Sequence, residues 1–224
     1  MRPFFFILAL SISSNVLFSQ DTTMIDYKAT GQQLDGYPIS YKKDGFLLEH
    51  FTLGMIVTAE GTRIANVKMN YDVMRDELIA IQANGQFVNL YKGRLQAFYI
   101  YDGTTNKDYY FNALTYNGRK IFAEAAFSCD SVKLFKKHQR KVREASPSYG
   151  YGNQSATWIP NDLFLVSLRG ELFALDGSLQ DNPDFQKIAG FDSNSLKKIL
   201  KKNTSEPEIR DLVNGLCEQS GTGE

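Results

Sequence analysis

Two histidines, two cysteines and a scatter of carboxylates are the side chains of this 224-residue chain that could do covalent or proton-transfer chemistry. Nucleophilic catalysis needs a histidine held against a hydroxyl or thiol. His50 falls in a strand-like stretch and His138 in a run of lysines; the chain has no G-x-S-x-G turn, and Cys129 lies in no recognisable partner pattern. Zinc wants His or Cys at close spacing, and neither H-E-x-x-H nor C-x-x-C occurs. Asp72, Asp76 and Glu77 could offer oxygens to calcium, but the EF-hand loop pattern is missing and an acidic turn between strands is simply well solvated. Acid–base work by Asp72 and Glu124 would need the two at a fixed separation. Alternation places Asp72 on the polar face of its strand, and Glu124 alternates with Ala123 and Ala125 in the same way, so both are expected to be exposed. No catalytic residue, metal or cofactor is expected.

Binding chemistry is better represented. Lys133, Lys136, Lys137, His138, Arg140, Lys141 and Arg143 form the densest charge feature. Lys136, Lys137, Arg140 and Lys141 make it a candidate site for anionic envelope material, such as lipid phosphate or an acidic polymer. The competing reading is an edge strand whose lysines block edge-to-edge pairing. A second candidate is the segment 145–160, where Tyr149, Tyr151 and Trp158 stand near Asn153 and Gln154. Aromatic faces with amide donors suit sugars or peptides, and long loops carry function; the same rings would also serve to cover a sheet.

The elements that position these residues are mostly strands. Between Glu60 and Gly118 apolar stretches are cut by Glu60-Gly61, Asn84-Gly85, Lys92-Gly93, Asp102-Gly103 and Asn117-Gly118, among which Asn-Gly and Asp-Gly are strong hairpin signals. Ala65, Val67, Met69, Tyr71 and Val73 alternate with Asn66, Lys68, Asn70 and Asp72, which predicts one buried and one wet face. Strands are expected at Tyr37–Tyr41, Phe46–Leu53, Met55–Ala59, Arg63–Val73, Leu78–Ile81, Phe87–Tyr91, Leu95–Tyr101, Tyr109–Leu114 and Ile121–Phe127. Val132–Val142 fits neither helix nor strand period well. A long irregular loop follows at 145–160, then a hairpin of Leu163–Leu168 and Glu171–Leu175. Turns this short make antiparallel neighbours.

The C-terminal segment changes period. A helix is expected from Asp192 through Lys202, carrying Leu196, Ile199 and Leu200. Ser205-Glu206-Pro207-Glu208 has the form of a capping box before Ile209, Leu212, Val213 and Leu216 at i, i+3, i+4, i+7. Helices this short need a sheet to pack against. Cys129 and Cys217 either bridge a strand to this segment or remain two buried thiols.

Met1–Ser19 reads as a secretory signal peptide: Arg2, then an apolar run from Phe4 to Leu10 that is too short for the roughly 20 residues of a spanning helix. The alternative is a retained N-terminal anchor. Removing Arg2 from 25 basic and 25 acidic residues leaves the charge near balance, which argues against nucleic acid as a partner. The signal ending LFSQ, the segment NVKMNYDVMRDEL, the hairpin LFLVSLRGELFAL and the terminal SLKKILKKN resemble a group of small exported proteins of unassigned function from Bacteroidetes-type bacteria. That resemblance implies location and layout, and no active-site residue.

The expectation is therefore a mainly β protein with a C-terminal α segment: a signal peptide at 1–19, a loose arm at 20–35, an antiparallel up-and-down meander at 36–190 and a helix pair at 191–219. The meander would form a curled sheet or partial barrel packed by the two short helices. It would act outside the cytoplasm, periplasmic or extracellular, by binding or scaffolding with an envelope protein, glycan or lipid. The second reading is a periplasmic carrier of a lipid or other apolar ligand.

Overall fold

A computed structural model describes residues 31–34, 45–129, 132–143, 157–176, 179–189 and 206–220. Eleven strands form one antiparallel sheet that does not close: β1 (Gly31–Leu34), β2 (Thr52–Thr58), β3 (Arg63–Asp72), β4 (Glu77–Ile81), β5 (Phe87–Leu90), β6 (Leu95–Asp102), β7 (Lys107–Tyr116), β8 (Arg119–Ser128), β9 (Val132–Lys137), β12 (Leu163–Leu168) and β13 (Glu171–Ala174). β10 (Arg140–Arg143) and β11 (Thr157–Pro160) make a separate two-stranded ribbon. The order is β1-β5-β4-β3-β2-β6-β7-β8-β9-β12-β13. Two meander runs thus meet at β2, which pairs with β3 on one side and β6 on the other. The link from β5 to β6 contains only Tyr91 and a 3-10 turn at Lys92–Arg94. So short a link reaches β6 only because the sheet curls, and Ala59 N–H donates to the Arg94 carbonyl at 2.9 Å where the ends meet.

Large apolar side chains fill the inside of the curl. Tyr71, Phe98, Phe111 and Phe122 are each fully buried, with ring centroids 4.5 Å apart for Phe98–Phe111, 4.9 Å for Phe98–Phe122 and 4.9 Å for Tyr71–Phe111. Aromatic rings at these separations add attraction beyond the area they remove from water. A second core lies where α1 (Pro183–Ala189) and α2 (Glu206–Ser220) cover β9, β12 and β13. Ile209, Leu212, Val213 and Leu216, the stripe expected from spacing, are buried there with Phe173, Phe185, Val132 and Leu134. The Cys129–Cys217 disulfide joins the end of β8 to α2 across 88 residues, with 6.3 Å between Cα atoms.

A repeated hairpin device sets two of the turns. Tyr71-Asp72-Val73-Met74-Arg75-Asp76 links β3 to β4, and Tyr101-Asp102-Gly103-Thr104-Thr105-Asn106 links β6 to β7. The first Asp of each accepts backbone N–H bonds from the turn, Asp72 from Met74 and Arg75 at 3.0 Å and Asp102 from Thr104 at 2.9 Å. The last residue of each turn adopts positive φ, 58° at Asp76 and 54° at Asn106, and takes the Tyr hydroxyl at 2.7 Å. Asp and Asn tolerate this backbone region better than most residues.

Several expectations are corrected. Asp72, Asn70 and Glu124 are buried at 2%, 1% and 7% exposure, not wet. The alternation fails in β3 because Asn66, at φ 59°, is a bulge: Gly54 pairs with Val67 but Met55 pairs with Ala65. One extra residue reverses the faces, so Ile64 packs against the core and Ala65 is exposed. Asn70 is buried because its side chain stands in for a missing strand. Its amide donates to the Leu48 carbonyl at 2.8 Å and its oxygen accepts from Leu48 N–H at 3.3 Å. Phe46–Leu53 is accordingly no single strand: residues 47–50 bend, and only Phe46 bridges to Asp72. The supposed arm ends in β1, paired with β5, and the supposed loop 145–160 ends in β11. Val132–Val142 divides into β9 and β10. The helix expected at Asp192–Lys202 and the strand at Tyr37–Tyr41 lie outside the described residues, and α1 was not foreseen.

Candidate functional site

The β7–β8 hairpin turns on Asn117 and Gly118, with φ of 49° and 73°, the two-residue geometry for which Asn-Gly is best suited. It sets Tyr116 directly opposite Arg119. Farther along β8, pairing with β9 runs no closer to this hairpin than Glu124–Lys136. β9 ends at Lys137, and the chain then leaves the sheet to form the ribbon. Among the described residues the stretch of β8 from Arg119 to Ala123 therefore has β7 on one side and no strand on the other. An open groove of about 420 Å³ lies at this parting, lined by Tyr116, Asn117, Arg119, Ile121, Lys137, Gln139 and Leu163. Its volume falls within the roughly 300–1,000 Å³ of small-molecule sites.

Asp76 crosses the seam behind the groove. Its Oδ1 accepts from Tyr71 O–H at 2.7 Å and from Phe122 N–H, on the unpaired side of β8, at 3.1 Å. Its Oδ2 meets Lys92 Nζ at 2.6 Å and Lys137 Nζ at 3.5 Å. Burial, then the charge and hydrogen bond of Asp76, push the Tyr71 hydroxyl far above the ordinary phenol range.

A second polar cluster follows β9 and its neighbours. His138 Nε2 lies 2.6 Å from Glu124 Oε2, and its Nδ1 lies 3.9 Å from Asp162 Oδ1. Lys107 Nζ is 3.4 Å from the other Glu124 oxygen. Lys136 bridges Asp162 at 3.1 Å and Glu206 of α2 at 2.9 Å, and Glu206 also holds Arg210. Burial works to raise the Glu124 carboxyl, but the hydrogen bond and charge of His138, aided by Lys107, outweigh it and hold it below its usual range. Lys136 is the reverse: burial alone would lower it, and Glu206 with Asp162 raise it. His138 has the carboxylate partners of an oriented base, yet among the described residues no hydrogen bond joins it to Ser, Thr or Cys. Nor do three His, Cys, Asp or Glu side chains among them converge on a possible metal position. This cluster ties α2 and the β11–β12 link to the sheet.

The sequence-selected residues are distributed over several surfaces. Lys136 and Lys137, adjacent on β9, point to opposite faces: the first reaches α2 and the second lines the groove. Arg140 donates to the Phe46 carbonyl at 3.1 Å, and Lys141 is exposed on the ribbon opposite Ile159. Trp158 is half-buried on β11 opposite Val142, while Tyr149, Tyr151 and Asn153 lie outside the described residues. Tyr116, Arg119 and Gln139 were passed over, although the Asn-Gly turn already implied that Tyr116 and Arg119 face each other.

Compared with known proteins, the chain matches no family model, no curated protein and no solved structure. Among the described residues no helix is long and apolar enough to cross a membrane.

Proposed function

We propose that the protein is exported and acts in the cell envelope or the secreted space by binding rather than by catalysis, with the β8–β9 groove as its contact surface. The observation that carries this reading is the groove's lining: two amides, two cations, a tyrosine and an apolar floor of Ile121 and Leu163. These groups hold and orient a ligand, and among the described residues the lining includes no histidine, carboxylate or thiol to move a proton or attack a bond. The Cys129–Cys217 bond fits an oxidising compartment, as does the signal-like composition of Met1–Ser19.

A lipid carrier is less well supported. It needs a continuous apolar cavity, and the described interior of the curl is taken up by Tyr71, Phe98, Phe111 and Phe122 in mutual contact.

The test has two parts. Cell fractionation should place the protein outside the cytoplasm, and the immobilised mature protein should retain a component of a solubilised envelope extract. Tyr116→Ala and Leu163→Ala, which trim side chains packed on the Ile121–Leu165 cluster, should lower the unfolding midpoint but lose that component while the protein is still folded. Equal retention by wild type and variants would remove the groove as the contact surface; parallel Tyr151→Ala and Trp158→Ala arms then test the aromatic segment in its place.

A further inference from the structure

Resting on the groove as a binding surface, we infer that its ligand is an anionic amphiphile: a phosphate or carboxylate head, held by Arg119 and Lys137, on a body that covers Ile121, Leu163 and the Tyr116 ring. The first observation is charge. Among the described residues the lining holds two cations and no carboxylate, and no ion pair uses Arg119. Lys137 is only loosely neutralised. Its nearest carboxylate oxygen, Asp76 Oδ2 at 3.5 Å, is already engaged by Lys92 at 2.6 Å, and the other Asp76 oxygen is taken by Tyr71 O–H and Phe122 N–H. Asp76 is thus shared between two ammonium groups, Lys92 also interacting with Glu77, and Arg119 and Lys137 are the charges at the groove itself.

The second observation is the pairing of donor geometry with apolar surface. Arginine presents a planar fork suited to two oxygens of a phosphate or carboxylate, and lysine adds a point charge. Asn117 and Gln139 supply further amide donors at the same opening. Leu163 and the Tyr116 ring are half-buried at the opening, above buried Ile121, so a head group alone would leave their apolar surface uncovered. A free inorganic ion satisfies only half of this site.

The experiment titrates the folded mature protein, at low salt, with n-hexyl phosphate, inorganic phosphate and the neutral n-hexyl glucoside, followed by amide chemical shifts. Hexyl phosphate should bind with shifts at Arg119, Ile121 and Lys137, and about tenfold more tightly than either control. Arg119→Gln/Lys137→Gln should weaken hexyl phosphate by about tenfold or more and leave hexyl glucoside unchanged. Arg119→Gln alone, at an exposed hairpin position, gives the same reading if the double variant unfolds. Equal binding by the variants, or glucoside bound as tightly as phosphate, overturns the inference. Co-sedimentation with phosphatidylglycerol but not phosphatidylcholine vesicles assigns the head group to a bilayer; its absence, with hexyl phosphate bound, assigns a soluble ester. If an envelope component is retained through Tyr116 and Leu163 but hexyl phosphate does not bind, the groove remains a binding surface and the anionic ligand falls.

Discussion

Asp76 Oδ1 accepts the Phe122 main-chain N–H at 3.1 Å, across 46 residues of sequence, and so supplies by side chain the bond a neighbouring strand would otherwise have made. The same oxygen holds the hydroxyl of fully buried Tyr71. Removing it leaves two donors without their acceptor, and hydrogen bonds to charged groups contribute about 1.5–3 kcal/mol. Asp76→Asn, which keeps tolerance for positive φ, should cost about 2 kcal/mol; Asp76→Ala, which adds backbone strain, should cost about 3 kcal/mol or more. Urea unfolding measures both, and a loss below half of either would deny Asp76 its role as clasp.

Acid should weaken the fold through Glu124. Its folded carboxyl lies below its unfolded value, so its stabilisation is fully present above that unfolded value, about 4.3, and is lost as pH falls through the lower folded one. Glu124→Gln should therefore be destabilising at neutral pH, with the gap to wild type closing in acid. Lys136 has the opposite sign. Raised in the fold, it stabilises fully below about 10.4, its unfolded value, and fades as pH rises through the higher folded one. Urea midpoints from pH 3 to 11 read both limbs, and a constant difference for Glu124→Gln would refute the first.

Reduction should loosen α2. A cross-link spanning 88 residues restricts the unfolded chain by about 4 kcal/mol in the loop-entropy account. Cys129→Ala/Cys217→Ala should lose most of that, with hydrogen exchange rising first in residues 206–220. Unchanged protection in that helix would show that Ile209, Leu212, Val213 and Leu216 hold it unaided.

Gly54 should not accept alanine. A methyl there would overlap the Tyr99 carbonyl oxygen and the Met69 methyl, at a cost of about 1–3 kcal/mol for overpacking. Asn66→Gly, at the facing bulge, should be neutral or slightly stabilising because φ is 59°. Thermal unfolding of the pair distinguishes them, and a tolerated Gly54→Ala would mean that β2 and β6 separate easily.

Much of this architecture was legible in the chain. Asn117-Gly118 and Asn84-Gly85 located hairpins because few residue pairs accept their turn geometry, and the spacing of Ile209, Leu212, Val213 and Leu216 located α2 and its buried face. The reversed face of β3 was hidden, since an Asn bulge leaves the composition of a strand unchanged while shifting its register. The two Tyr-Asp turns were visible as a repeat, YDVMRD and YDGTTN, but the first was divided between a strand end and an acidic turn able to offer oxygens to calcium, and only Asp102-Gly103 of the second was read as a turn. Burial of Glu124 depended on His138, fourteen residues away and just past the end of β9, and such pairing is invisible to alternation. The groove was hidden for a similar reason: it arises where β9 departs from β8, and a departure has no residue signature of its own. Lys137 was grouped with Lys136, whose side chain reaches α2, whereas it lines the groove with Arg119.

The position of β2 imposes an order of assembly. Its second edge finds its permanent neighbour only in β6, so the first meander run is a half-sheet with an adhesive rim until the second run arrives. Until that pairing forms, the open edge of β2 is the aggregation-prone feature of the partly folded chain. A chain halted after β5 should associate with itself through β2, whereas one extended through β6 covers that edge and should lose the association made through β2.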